Sequence, residues 1–191
     1  HHAIAKDMSV WIEKIKDYTE YMSDIITAVK GQAVTLSETE NTSFDLEELV
    51  KRIDILMKHE LKNALIYMNV QMNAPKNTKI NGDINSLVQV INNMISNAIQ
   101  AYNGRTEEEI NLDFNMDDNN NLIISIEDHA DGLPQKVKDK LFKEMITTKG
   151  KNGTGLGLYM SYSTIKAHFN GNITFESEKG KGTKFNIILP L

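Results

Sequence analysis

The sequence predicts an α+β fold, a two-layer sandwich in which three helices cover one face of a mixed, mostly antiparallel sheet, preceded by one long helix. Three observations carry that expectation. Segments with apolar residues at helical spacing alternate with segments in which every second residue is apolar. The strands so marked are joined mainly by hairpins and by returning helices. And 191 residues, 40% of them hydrophobic, suffice for one core of good size.

Composition removes several classes of function. A formal net charge of −5 argues against a protein whose main partner is nucleic acid. The absence of cysteine excludes disulfides and thiolate-bound zinc. No run of about 18 apolar residues exists, so no membrane contact is expected of this segment. His1-His2 read as the remnant of a purification tag. The whole reads as an excised cytoplasmic fragment, which leaves room for it to be the cytoplasmic part of a membrane-bound receptor.

The first element is a helix from about Ala5 to Ala33, with Ile15, Tyr18, Met22, Ile25, Ile26 and Val29 at three-four spacing. No second helix stands beside it in the chain, so the stripe covers either its own domain or a second copy. The polar run from Gly31 to Thr42 reads as a linker, which divides the chain into residues 1–36 and 37–191. The next helix starts at Asp45 as N-cap, with Glu48 expected to reach back and Phe44 and Leu49 to form a hydrophobic staple. Ile66, Met68, Val70 and Met72 alternate as a half-buried strand, and Ala74 to Gly82 reads as a polar loop.

A helix from about Ile84 to Ala101 turns Val88, Ile91, Ile95, Ala98 and Ile99 inward. Asparagine is a poor helix former, yet Asn92, Asn93 and Asn97 lie within this one. Asn93 and Asn97 share a face, four residues apart, and their carboxamide oxygens suit a hard cation such as Mg²⁺. The plainer reading is hydrogen bonding to neighbouring loops. Ile110 to Met116 and Leu122 to Ile126 alternate around the turn-rich Asp117 to Asn121 and form a hairpin. Its second strand runs into Glu127-Asp128-His129-Ala130-Asp131-Gly132-Leu133-Pro134, where an acid at a strand end can accept a hydrogen bond from a ligand; otherwise the segment is a plain turn.

Lys136 to Met145 reads as a short helix. Thr147-Thr148-Lys149-Gly150-Lys151-Asn152 is a polar, basic loop suited to act as a lid over phosphates, with Lys149 and Lys151 as point charges. It leads into Gly153-Thr154-Gly155-Leu156-Gly157-Leu158 and a helix marked by Leu158, Tyr162, Ile165 and Phe169, with Gly171 at the place of a C-cap glycine. Glycines before a helix let the backbone approach an anion closely and present free N–H groups to it. A tight packing turn is the alternative. The run fits neither a Walker loop, which needs Gly-Lys-Ser/Thr, nor a dinucleotide fingerprint. Ile173 to Ser177 and Lys184 to Leu189 close the chain as a hairpin.

Four boxes therefore stand in order: Asn93-Met94-Ile95-Ser96-Asn97-Ala98; Asp128 to Gly132; Leu141-Phe142 with Thr147-Thr148-Lys149; and Gly153 to Leu158. Together they resemble the catalytic, ATP-binding domain of sensor histidine kinases, in the group that also includes gyrase, Hsp90 and MutL. The resemblance covers about Phe44 to Leu191, and the helix before it looks like the second helix of the kinases' dimerisation hairpin, incomplete here. It implies that Asp128 accepts from the adenine amino group, that Gly132 makes room for the base and that Thr183 supports the adenine side. It implies Asn97 on Mg²⁺ with Asn93 assisting, Lys149 reaching the terminal phosphate, and Gly153, Gly155 and Gly157 wrapping the phosphates. Thr148, Thr154, Leu156 and Leu158 belong to the same nucleotide-binding boxes.

The resemblance further implies an ATP-dependent protein-histidine kinase, acting as a homodimer through its N-terminal helix and passing phosphate to the receiver domain of a response regulator. His129 and Ala130 stand where the family has Asn and Gly, Met145 and Ile146 replace aromatics, and Gln100 takes a place where some relatives have lysine. Ala130 feeds a second reading, a degenerate nucleotide-binding or dimer-scaffold module without kinase activity. A serine-directed anti-sigma-type kinase would be expected to lack the hairpin. Gyrase- and Hsp90-like members carry a glutamate base four residues before the metal asparagine. That place is Asn93 here, and an amide cannot take a proton from water, so transfer to a protein side chain is favoured over hydrolysis. His59-Glu60-Leu61-Lys62-Asn63-Ala64 is similar to the family's phospho-acceptor box. Its position at the end of the Asp45 helix, just before a strand, places it inside the ATP-binding domain instead.

Overall fold

A computed structural model describes Met8, Trp11, Ile12, Ile15, Thr19 and residues 42–139, 141–142 and 156–191. In chain order the elements are β1 (Ser43–Asp45), α1 (Leu46–Ala64), β2 (Ile66–Met72), β3 (Lys79–Asn81), α2 (Ile84–Ala101), β4 (Glu108–Met116), β5 (Asn121–Asp128), α3 (Gln135–Lys138), α4 (Leu156–Phe169), β6 (Asn172–Glu178) and β7 (Gly182–Pro190). The main sheet runs β2-β4-β5-β7-β6, with β2 parallel to β4 and the other neighbours antiparallel. This is the mixed, mostly antiparallel sheet that the alternating segments predict.

The helices close one face because each carries a single apolar stripe. Leu46, Leu49, Ile53, Met57 and Leu61 of α1 are buried, as are Leu87, Val88, Ile91, Ile95 and Ala98 of α2 and Ile165 and Phe169 of α4. They meet the inward residues of the strands, Ile110, Leu112 and Phe114 on β4, Leu122, Ile124 and Ile126 on β5, and Phe185, Ile187 and Leu189 on β7. The opposite face of the sheet is polar. Asn69 Nδ2 donates to Asn111 Oδ1 (3.3 Å), Asn73 Nδ2 to Asn115 Oδ1 (2.8 Å) and Ser125 Oγ to Asn186 Oδ1 (2.7 Å).

Local signals behave as read, with three differences. Asp45 caps α1 by accepting from Glu48 N (2.8 Å), and Phe44 and Leu49 are both buried. Glu48 does not reach back, however; its carboxylate pairs forward with Arg52 at 2.8 Å, one turn on along the exposed face. The segment Ala74 to Gly82 is not all loop, because Lys79–Asn81 pairs antiparallel with Ser43–Asp45 as a second, two-stranded sheet. Ile80 is the one buried side chain of Lys79–Asn81, and a single apolar residue in three gives no legible alternation. At the end of α4, Asn170 takes the left-handed conformation (φ 50°) expected of Gly171. Gly171 instead returns its N–H to Ile165 O (3.0 Å).

The predicted helix over Lys136 to Met145 is a single turn, Gln135–Lys138, among the described residues. Of the long N-terminal helix, Met8, Trp11, Ile12, Ile15 and Thr19 are helical, and Thr19 Oγ1 donates to Ile15 O at 2.8 Å. Ile15 is 62% exposed and Trp11 64%, so these side chains are not covered by the sandwich. Tyr18, Met22, Ile25, Ile26 and Val29 and the linker over residues 31–41 lie outside the described residues. No helix among the described residues is long and apolar enough to cross a membrane.

Helix α2 positions the asparagine stripe, and its start rests on one side chain. Asp83 accepts from Asn85 N (3.2 Å), Ser86 N (2.8 Å) and Ser86 Oγ (2.7 Å). Asp83→Ala should therefore cost about 1–2 kcal/mol of stability, the range measured for lost N-caps. Chemical denaturation checks this through a lowered midpoint with unchanged slope; an unchanged midpoint would show that the cap contributes nothing.

Candidate functional site

Alternation alone carries Asp128 into the core. On β5 the inward positions are Leu122, Ile124, Ile126 and Asp128, so a carboxylate ends a row of apolar side chains and is 5% exposed. An unpaired charge there would be costly. Asp128 Oδ1 accepts from the backbone N–H of Ala130 (3.0 Å) and of Thr183 (3.3 Å). Burial nevertheless outweighs these donors and raises its pKa above the usual carboxylate value. Among the described residues both accepted bonds fall on Oδ1, which leaves Oδ2 as the acceptor for a ligand.

Thr183 is the register partner of Asp128 on β7, also inward and 5% exposed. Its hydroxyl lies 2.9 Å from Ser177 Oγ, which accepts from Leu133 N (2.7 Å) and donates to Gly182 O (3.1 Å). Ser177 has one hydrogen, and Gly182 O takes it. Thr183 Oγ1 must then donate to Ser177, and its remaining lone pairs can only accept. Asp128 and Thr183 thus present two acceptors side by side, matched to a ligand edge that donates.

Two glycines let the chain close around this pair. A Cβ on Gly182 would fall 1.9 Å from Asp128 O, and one on Gly132 would fall 2.3 Å from Glu178 O. Both residues also have positive φ (111° and 74°). The space that Gly132 leaves open is therefore filled by the β6–β7 turn. The turn holds the segment further through Gly180 N to Asp131 O (2.9 Å) and through Lys138 Nζ to Ser177 O (2.7 Å). Ala130 sits in this segment without a left-handed backbone, and its methyl is buried in the core. Nothing at that position requires glycine.

The asparagine stripe runs from this corner toward α4. Tyr102, the C-cap of α2, bonds to the residue after Asp128, since its Oη accepts from His129 N (2.8 Å). Counting back along the helix, Asn97 lies about 7–8 Å from that anchor and Asn93 a further turn, about 6 Å, beyond. Asn93 Nδ2 donates to Ser161 Oγ (3.1 Å) of α4. A Cβ on Gly157 would come within 2.8 Å of Asn93 Oδ1, so the first turn of α4 rests directly on Asn93. That turn holds no acidic side chain, and its end of the helix dipole is positive.

The structure therefore brings Asp128, Gly132 and Thr183 into one corner and Asn93 and Gly157 into another, with Asn97 between them on α2. Leu158 is half-buried in the first turn of α4, and the backbone of Leu156 opens it. Thr148, Lys149, Lys151, Gly153, Thr154 and Gly155 lie outside the described residues, as do Met145 and Ile146. No motif in the sequence marks Tyr102, Ser161 or Ser177. Each acts across a long separation in the chain, which a periodic pattern does not reveal. Phe142 does mark the approach to the glycine run, stacking on Tyr162 of α4 (5.1 Å between ring centroids) and meeting Phe175 and Phe185 edge-on (5.9 and 6.3 Å). His59, on the exposed side of α1, contacts only its helix neighbour Asn63 among the described residues, at 3.1 Å.

Comparison with known proteins gives the family and the fold. The family model described as histidine kinase-, DNA gyrase B-, and HSP90-like ATPase matches residues 82–191. Sporulation kinase E of Bacillus subtilis (strain 168) is 43% identical over 74 residues, which make up 39% of this chain and 10% of that protein. The chain thus corresponds to a small part of that relative. The nucleotide-free catalytic domain of the histidine kinase ThkA has the same fold, with a TM-score of 0.68 and 25% identity over 80% of this chain and 96% of the other. ThkA in complex with the response regulator protein TrrA matches with a TM-score of 0.68 and 23% identity, over 90% of this chain and 48% of that one. The chain belongs to the histidine kinase-, DNA gyrase B- and HSP90-like ATPase family, and its described domain is an ATP-binding domain of the kind found in the catalytic part of sensor histidine kinases.

Proposed function

We propose that the chain is the kinase part of a sensor histidine kinase, which transfers the terminal phosphate of ATP to a histidine outside residues 1–191. The observation that carries this reading is the buried Asp128 beside Thr183, joined by the asparagine stripe of α2 to an acid-free helix start. Asp128 Oδ2 accepts the adenine amino hydrogen, and Thr183 supports the same edge of the base. The positive end of α4 faces the phosphates, with Gly153, Thr154, Gly155, Leu156, Gly157 and Leu158 around them and Thr148 and Lys149 closing from the lid.

The residues present fit a magnesium ion. No group of three or more acidic, histidine or cysteine side chains that could hold a metal occurs among the described residues, and in this reading amide and phosphate oxygens take that part. Asn97 offers a side-chain oxygen, Asn93 assists, and phosphate oxygens complete such a site. Bound there, Mg²⁺ would neutralise phosphate charge. The chain itself aligns ATP and keeps a general base away. Asn93, engaged with Ser161 and unable to take a proton, stands where hydrolytic relatives have glutamate. An imidazole nitrogen of the acceptor then forms a bond to the γ-phosphorus as its bond to the bridging oxygen breaks, and ADP leaves.

In the full protein we place residues 1–36 as half of a dimerisation hairpin, supported by the exposed Ile12 and Ile15. Residues 37–191 are then the catalytic domain, a response regulator receives the phosphate, as the ThkA complex suggests, and the location is cytoplasmic. The competing scaffold reading rested on Ala130, whose methyl is accommodated in the core.

Two outcomes test the proposal. Asp128→Asn should keep the bonds to Ala130 and Thr183 while presenting a donor to the adenine amino group. ATP affinity should fall about tenfold to more than a hundredfold, the worth of a charge-assisted hydrogen bond. The same change should not lower stability at neutral pH. Asp128 has a raised pKa in the fold, so its ionised form opposes folding; that cost is fully present above the folded pKa and fades as pH falls through it. Calorimetric titration with Mg-ATP and thermal denaturation read both effects, and an unchanged affinity in a folded variant rejects the adenine assignment.

The second outcome concerns His59. It lies on the helix that supplies five core residues to the domain, and Leu65 alone separates the end of that helix from β2. Incubated with Mg-ATP, the chain should gain no phosphate, yet it should phosphorylate a supplied dimerisation hairpin carrying its acceptor histidine. Acid-labile phosphate on this chain that disappears in His59→Gln would reverse the assignment.

A further inference from the structure

Helix α2 ends in a tyrosine whose hydroxyl does something a cap does not need. Tyr102 is fully buried. Its Oη donates to the backbone oxygen of Glu109 on β4 and accepts from the backbone N–H of His129 (2.8 Å). Both directions are fixed, because a carbonyl can only accept and an amide N–H can only donate. The place of the hydroxyl in the sheet gives these bonds their meaning. β4 and β5 pair in register as far as Ile110 with Asp128. One residue further, Glu109 would face His129, and no backbone bond joins them. The phenol is inserted into that rung and holds it open.

The strand therefore separates from its neighbour immediately after the nucleotide-facing carboxylate. His129 N is pinned by Tyr102, and the next N–H, of Ala130, points back to Asp128 Oδ1 at 3.0 Å. These two consecutive amides set the turn, and the turn sets where Oδ2 lies. Tyr102 is itself immobilised. Arg105 Nε donates to Tyr102 O (3.3 Å), the guanidinium carbon lies 5.4 Å from the ring centroid, and Arg105 Nη2 reaches Asp131 at 3.6 Å. Removing the hydroxyl would leave a carbonyl and an N–H unsatisfied about one rung apart. They can satisfy each other only if the end of β5 closes onto β4, and that movement carries the Asp128 turn with it.

We propose that Tyr102 is a positioning residue for adenine recognition: its hydroxyl, wedged between Glu109 and His129, aims the Asp128 carboxylate at the exocyclic amino group. The inference rests on the reading of Asp128 as the adenine acceptor. It makes nucleotide selectivity, and not only stability, depend on a side chain that touches no nucleotide.

The test compares two ligands on the 191-residue chain by calorimetry: Mg-ATP and the Mg²⁺ complex of purine riboside triphosphate, which lacks the amino group. In Tyr102→Phe, ATP affinity should fall about three- to tenfold, the worth of one hydrogen bond. Affinity for the analogue should stay the same, so discrimination between the two narrows. In an Asp128→Asn background, Tyr102→Phe should cause no further loss of ATP. Equal loss of both nucleotides, full additivity with Asp128→Asn, or unchanged ATP affinity in folded Tyr102→Phe overturns the proposal. Asp128→Asn binding ATP normally would instead reject the adenine assignment, and the proposal with it. If Tyr102→Phe does not fold, Tyr102→Met, with its flexible side chain, takes its place. Failure of both to fold assigns the hydroxyl to stability alone and overturns the proposal.

Discussion

A carboxylate on the core face of a strand is the constraint around which this corner of the molecule is built. Ile126 and Asp128 differ by one full strand period, so whatever buries the first also buries the second. Two backbone N–H groups meet the charge, but the raised pKa shows that they do not cancel the cost of desolvation. The rest of the corner prevents any escape. Gly182 brings β7 against the backbone of Asp128, Gly132 tucks the following segment under the β6–β7 turn, and Tyr102 props β5 away from β4. Each of these gives up local freedom to keep one acceptor oxygen available.

At its far end the site depends on a different interaction, the seating of α4 on α2. Gly157 and Ser161 lie one turn apart on α4 and both meet Asn93. The aromatic group of Phe142, Tyr162, Phe175 and Phe185 then joins the segment before residue 143 to α4 and to both closing strands. Phe142 holds its place with a left-handed backbone (φ 66°), an unusual conformation for a bulky residue.

How much of this could be read in advance depends on the range of each interaction. The bounds of α2, the Asp45 cap, the β4–β5 hairpin and the inward residues follow from neighbours two to four positions apart, and the sequence shows them directly. The ribbon of β1 and β3 joins segments 36 residues apart, as in the pairing of Phe44 with Ile80, and no local pattern marks it. The same holds within the site. Asp128, Asn93 and Asn97 stand in recognisable boxes, whereas Tyr102, Ser161 and Ser177, which brace the site, belong to none. Ser177 meets Leu133 across 44 positions and Tyr102 meets His129 across 27, and no periodicity encodes such pairs.

The open face of the sheet has a consequence of another kind. Its cross-strand contacts are mostly between neutral amides and hydroxyls, Asn69 with Asn111, Asn73 with Asn115, and Ser125 with Asn186, and the Lys184–Glu127 ion pair is loose at 3.7 Å. Neutral hydrogen bonds are not screened by dissolved ions, whereas exposed charge pairs are. The sheet face away from the helices should therefore stay equally stiff at low and at high salt.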